Sequence, residues 1–179
     1  MSPAVEATFG FAETRLVSFA DLYAGKIVAA LDRQHPRDLF DVRDLLANEG
    51  IDDSLRRAFV VYLLSHNRPM AELLAPKSKP ISDEFHRGFI GMTSAPVSLA
   101  DLVATRERLV AEIVGGMPEA HRRFLRSFKR GQPDWTLLDV PVARRLPAVL
   151  WKIQNLARLT SGKRDALLTR LERVLFPTK

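Results

Sequence analysis

The chain has 179 residues, is 46% hydrophobic and contains no cysteine, which excludes disulfide and thiol chemistry and makes a reducing cytoplasm the expected setting. No apolar run approaches the ~20 residues that span a bilayer, and the opening MSPAVEATFG has neither the basic n-region nor the apolar h-region of a secretory signal. The formal charge of +6 is uneven: 11 Lys+Arg stand against 13 Asp+Glu over 1–97, and 16 against 8 over 98–179. A basic half suits a polyanionic partner, and equally a well-solvated surface. Histidines 35, 66, 86 and 121 show no ligand spacing, so no metal site is expected from them.

In chain order, residues 14–18 alternate and read as a short strand. Ser18 with Asp21 opens a helix over about 19–33, with Leu22, Tyr23, Ile27, Ala30 and Leu31 at helical spacing. It ends before His35-Pro36, because the residue preceding a proline is driven out of the α region. Pro36 starts a second helix, 36–48, whose apolar set is Leu39, Val42, Leu45 and Leu46 and whose stop is Gly50. An apolar helix follows at about 52–66, then a short turn of helix at 69–75, a Pro/Lys loop at 75–82 and a short helix at 83–90. Ser98 opens a helix that runs to Gly115-Gly116, and Pro118 opens the next, which ends at Gly131. A loop over 131–142 is anchored by Trp135, and helices at about 143–159 and 162–175 complete the chain. Trp151-Lys152 reads as core packing with a snorkelling lysine. The expected fold is mainly α: a helical bundle with at most one or two short N-terminal strands.

The chemically informative segment is KIVAALDRQHPRDLFDVRDLL, Lys26 to Leu46. Lys26 and Arg33 share a face of the first helix, while Arg37, Asp38 and Asp41 open the second. A short link packs the two as a hairpin and brings both cations near both carboxylates. Such a mixture suits phosphate handling, with cations neutralising phosphate oxygens and carboxylates orienting a metal, a ribose or a base. Acidic residues are also what a stable helix N-terminus favours, and spacing alone leans towards a structural salt-bridge network. On the helix 118–130, Arg122, Arg126 and Lys129 fall at i, i+4 and i+7 with Arg130 beside them, a candidate nucleic-acid-binding stripe, or equally a solvated face, opposite Phe124, Leu125 and Phe128.

The string FADLYAGKIVAALDRQHPRDLFDVRDLL resembles the AbiEii/AbiGii family of nucleotidyltransferase toxins, in which a K-x-x-A…R…R-D-x-x-D element follows the catalytic sheet. SHNRPMAELLAP, DEFHRGFIGMTSAPVSL, IVGGMPEAHRRFLRSFKRGQPDW and LPAVLWKIQNLARL also resemble its C-terminal helical region. The resemblance implies a toxin of a bacterial toxin–antitoxin or phage-defence locus that transfers nucleotides from an NTP, with Mg²⁺, to an RNA acceptor such as tRNA, with a cognate antitoxin as partner. By motif match, Lys26 is the phosphate-contacting lysine, Asp41 with Asp38 the active-site carboxylates, and Arg33 and Arg37 further NTP-contacting cations.

One departure stands beside the match. Enzymes of this fold hold the triphosphate on a glycine-rich turn and the metals on a D-x-D pair; this chain has neither. Gly115-Gly116 reads as a helix stop. The expectation is therefore a remnant of the sheet over 1–18, a helical part with the Lys/Arg–Asp element over 19–97 and a basic helical part over 98–179, together one compact unit. Such a chain is expected to be inactive alone, with no metal or cofactor site of its own. The alternative is a non-catalytic helical module that binds an antitoxin or RNA.

Overall fold

The computed structural model describes residues 6–8, 10 and 15–177. Local sequence dictates most of its helices. The Ser18 side chain accepts from the Asp21 backbone N–H at 3.1 Å and starts α1, Phe19–Asp32. Helix α2, Pro36–Asn48, places Pro36 in its first turn, and the His35 ring takes the Arg37 N–H. Asp52 caps α3, Asp53–Ser65, through the Leu55 N–H at 2.7 Å. Short helices α4, Met70–Leu74, and α5, Ser82–Gly88, flank the 75–81 loop. A Ser98/Asp101 capping box opens α6, Leu99–Val110, which widens into a π-turn over Ala111–Gly115. Helix α7, Glu119–Arg130, ends at Gly131, whose φ of +85° is the left-handed C-cap glycine favours. The last helices are α8, Pro147–Ala157, and α9, Ser161–Leu175.

One apolar core runs from Ala24 of α1 to Leu175 of α9. Helix α1 lies at its centre, packed on α2 and α3 with further contacts to α4 and α6, while α9 packs on α7 and α8 on α3. Ile27, Leu31, Leu39, Leu45, Phe59 and Leu63 are all essentially without solvent exposure, which places most of the expected apolar faces of the first three helices inward; Leu22, expected among them, is 46% exposed. The Trp135 ring packs 5.1 Å from Phe124 and anchors its loop as expected. Among the described residues no helix is long and apolar enough to cross a membrane.

Four expectations need correcting. Thr14 lies outside the described residues, and 15–18 form no strand: they are exposed and end in the Ser18 cap. The loop over 131–142 holds a 3₁₀ turn at Trp135–Leu137. The helix expected over 143–159 is two pieces, a 3₁₀ segment at Pro141–Arg145 and then α8, because Leu146 precedes Pro147 and is held extended at φ −64°, ψ 131°. Trp151 is 52% exposed, whereas Lys152 is the inward residue and donates to the His66 carbonyl at 2.5 Å.

His121 on α7 is 4% exposed and its Nδ1 has no hydrogen-bond partner. Burial, reinforced by the nearby Arg57 and Arg56 charges against the opposing pull of Asp53, lowers its pKa below the ordinary 6.5. The unfolded chain then binds a proton more readily than the folded one, so the stability from this group is present above pH 6.5 and is lost as pH falls through its folded pKa. Urea midpoints are expected to fall between pH 7 and 5.5, and His121→Leu is expected to flatten that decline. An equally steep decline in the variant assigns the effect to other groups.

Candidate functional site

The α1–α2 hairpin forms because one left-handed residue, Gln34 at φ +55°, reverses the chain between a helix end and a proline start. The hairpin pairs the charges one to one. Lys26 Nζ donates to Asp41 Oδ2 at 2.5 Å, and Arg33 Nη2 donates to Asp38 Oδ1 at 2.7 Å. Lys26 and Arg33 are two helical turns apart, roughly 10 Å along α1, so the pairs form a two-rung ladder across the hairpin. The Lys26–Asp41 rung is about one-third exposed on each side, and only one of the three ammonium N–H groups is spent on it.

Beside the Arg33 rung a cavity of about 440 Å³ opens, within the range of small-molecule sites. Arg33, Arg37 and Lys79 bring positive charge to it, and Asp38 and Glu84 bring negative charge. Asp38 Oδ2 is buried without any hydrogen-bond partner. The other carboxylate oxygen, Oδ1, holds Arg33, so Asp38 fixes that guanidinium at the cavity rim. Arg37 is steadied at its distal end by the Gly88 carbonyl, 3.3 Å away.

The wall opposite the hairpin is held by residues that motif reading did not single out. Gln34, 1% exposed, donates to the Lys77 carbonyl at 2.9 Å and accepts from the Lys79 backbone N–H at 3.0 Å. Arg106 of α6 donates to the same Gln34 oxygen at 3.1 Å and to the Lys79 carbonyl at 2.8 Å. The Lys79 ammonium reaches the Asp32 carbonyl at the end of α1. These partners stand 27 to 72 residues apart in sequence, beyond any helical spacing. The only local signal is the Pro/Lys composition of the loop.

The α7 stripe does not survive as a row of four free cations. Arg122 turns inward and donates to the carbonyls of Met117, Val114, Gly115 and Leu175, closing the π-turn and the end of α9. Lys129 is 6% exposed, and burial with the neighbouring Lys152 charge lowers its pKa. Lys129 follows Phe128 and Leu125 on the core side, so its stem is buried with them. Arg126 and Arg130 remain accessible: Arg126 lies 5.2 Å over the Phe176 ring, and Arg130 pairs with Glu172 at 3.2 Å.

A family model described as "Nucleotidyl transferase AbiEii toxin, Type IV TA system" matches residues 1–155. The chain belongs to this family. No curated protein and no solved structure matches it. The AbiEii match covers the whole α1–α2 ladder and its cavity and ends within α8, so α9 lies beyond it. Membership of a type IV toxin–antitoxin family implies an antitoxin as partner.

The ladder suits a phosphate and a metal ion unequally. Arg33, Arg37 and Lys79 around one cavity fit phosphate oxygens. A metal fits less well: Asp38 and Asp41 each already pair with a cation, and among the described residues no group of three or more His, Asp or Glu is placed to hold one. The helices offer charge for a phosphate and, by themselves, no Mg²⁺ centre.

Proposed function

We propose that this chain is the helical arm of a nucleotidyl transfer reaction from an NTP to an RNA acceptor such as tRNA, within a cytoplasmic toxin–antitoxin system. Lys26 contacts the phosphates and Asp41 holds its ammonium in place. Arg33 and Arg37 take further phosphate oxygens, and Asp38 holds the Arg33 guanidinium in place. Mg²⁺ belongs to a carboxylate pair on a sheet with a glycine-rich turn, features absent from this sequence, so transfer requires that sheet. The observation that carries this reading is the convergence of Arg33, Arg37 and Lys79 on one cavity beside the Arg33–Asp38 rung.

The test uses labelled NTPs, Mg²⁺ and bulk tRNA, with the chain alone and with the chain fused behind the glycine-turn and D-x-D sheet of another family enzyme. Label is expected in RNA only with the fusion. Transfer by the chain alone overturns the requirement for a sheet.

A second reading, a non-catalytic module for the antitoxin, is supported by exposed apolar side chains on three neighbouring helices. These are Phe19 and Leu22 of α1, Tyr62 of α3, and Leu150 and Trp151 of α8, with α3 packed against the other two. It gains if a folded fusion transfers nothing.

A further inference from the structure

The geometry of α7 leaves a different basic surface from the one its spacing suggested. Arg123, Arg126 and Arg130 surround a small cleft of about 170 Å³, together with Ser127, Gln132 and Asp134. Arg126 is also a wall of an adjoining, more open groove of about 600 Å³ that includes Arg173 and Phe176. The two are therefore continuous at Arg126. Neither Arg123 nor Arg126 makes a hydrogen bond or ion pair among the described residues. Asp134, the acid of the cleft, is occupied by the Thr136 N–H and hydroxyl, and Glu172, the acid of the groove, by Arg130.

Arg126 is thus oriented without being consumed. A cation–π contact with Phe176, 5.2 Å from Cζ to the ring centre, holds its guanidinium over the ring while leaving all five N–H donors unspent. A planar fork with free donors beside two further arginines matches phosphate oxygens in the bidentate manner that lysine cannot reproduce. Phe176 and Arg173 lie past residue 155, outside the segment matched by the family model, so the groove is completed by α9 and the residue next to its C-terminus.

We propose that this arginine cleft and the groove beside it bind the backbone of a single-stranded nucleic acid, with a phosphate between Arg123, Arg126 and Arg130 and the next nucleotide along Phe176 and Arg173. The cleft is too small for a duplex ridge, and a groove with an aromatic wall adjoining a cationic pocket is the arrangement that single strands use. As the seat of the RNA acceptor, the cleft rests on the transfer reaction proposed for this chain. Binding is measured without NTP, so a failure to bind leaves the transfer reading standing, and a failure to transfer leaves the cleft standing.

The experiment is fluorescence anisotropy of the full chain with labelled 12-nucleotide RNA and DNA strands across a salt series. The double variant Arg123→Ala/Arg126→Ala removes two charges that make no hydrogen bond or ion pair and only one exposed cation–π contact, so its fold is expected to be unchanged by circular dichroism. Its affinity is expected to fall roughly 100-fold, about tenfold per charge-assisted contact, and the log–log salt slope by about 0.7, the value for the one phosphate the cleft holds. Arg126→Lys is expected to keep the slope and lose several-fold in affinity. The control Arg144→Ala/Arg145→Ala removes the same charge from the exposed Pro141–Arg145 segment and is expected to change affinity less than threefold. Binding of RNA and DNA alike, or of RNA alone, agrees with the proposal and tells whether the 2′-hydroxyl is read. Equal losses in the control and the cleft variant, or displacement of RNA by polyglutamate at matched charge, overturn it: the first shows a diffuse basic field, the second a site for an acidic protein.

Discussion

Lys26→Ala and Asp41→Ala are each expected to reduce nucleotide transfer by the fused protein at least about 100-fold, the loss typical when one preorganised electrostatic contact is removed, while barely changing stability. The rung is about one-third exposed on both sides, and pairs of that kind contribute about 0–1 kcal/mol. For a domain of this size that is at most a few degrees in Tm. The two readouts therefore separate the possible roles. A purely structural salt bridge would show a small loss in both. A phosphate-contacting lysine shows a large loss in transfer alone, with Lys26→Arg restoring part of it because the charge returns on a bulkier, differently shaped head. If the folded variants transfer nucleotide as the parent fusion does, Lys26 and Asp41 are bridge residues and nothing more.

The largest stability effect is expected at Arg56 of α3, which is 8% exposed and donates from one guanidinium nitrogen to the carbonyls of Glu112 and Ile113, at 3.1 and 3.2 Å. Those carbonyls belong to the π-turn, whose widened geometry leaves them short of helical partners. The turn is also tight: a Cβ at Gly116 would meet the Glu112 carbonyl oxygen at 2.7 Å, so glycine is required there. Burial works against the Arg56 charge and lowers its pKa, with Asp53 and Glu112 opposing that effect. Arg56→Ala leaves two carbonyls without their donor and opens a cavity, at an expected cost of about 3 kcal/mol, or roughly 6–12 °C in Tm. Arg56→Met refills the space occupied by the arginine stem and sheds the buried charge, and is expected to recover about half of that loss. Urea denaturation of both variants checks this. If both unfold as the parent does, the π-turn does not depend on Arg56.

Much of the first half was legible from local chemistry. Ser18 with Asp21, the His35-Pro36 break, Asp52 and the Ser98 capping box are short-range signals, because a helix end is satisfied by groups within three residues of it. The hairpin that brings Lys26 and Arg33 to Asp41 and Asp38 came from a short link between amphipathic helices. The Pro147 break is equally local: the proline holds Leu146 extended and decides the backbone there.

What spacing could not supply was the fate of long polar side chains. Arg122 and Arg126 are one turn apart on the same helix, yet Arg122 is drawn in by the carbonyls of Val114, Gly115 and Leu175, while Arg126 stays out on Phe176. Helical periodicity places a Cβ; the unsatisfied acceptors of a distant segment decide where six further side-chain atoms go. The same holds for Gln34, Lys79 and Arg106, which are brought together from three elements to wall the cavity. By itself, the sequence determined most of the helices, the caps at Ser18, Asp52 and Ser98, the nearness of the α1 cations to the α2 carboxylates and the family resemblance. Tertiary structure alone decided which cations are spent on the protein's own carbonyls and which remain for a ligand, because that depends on acceptors tens of residues away.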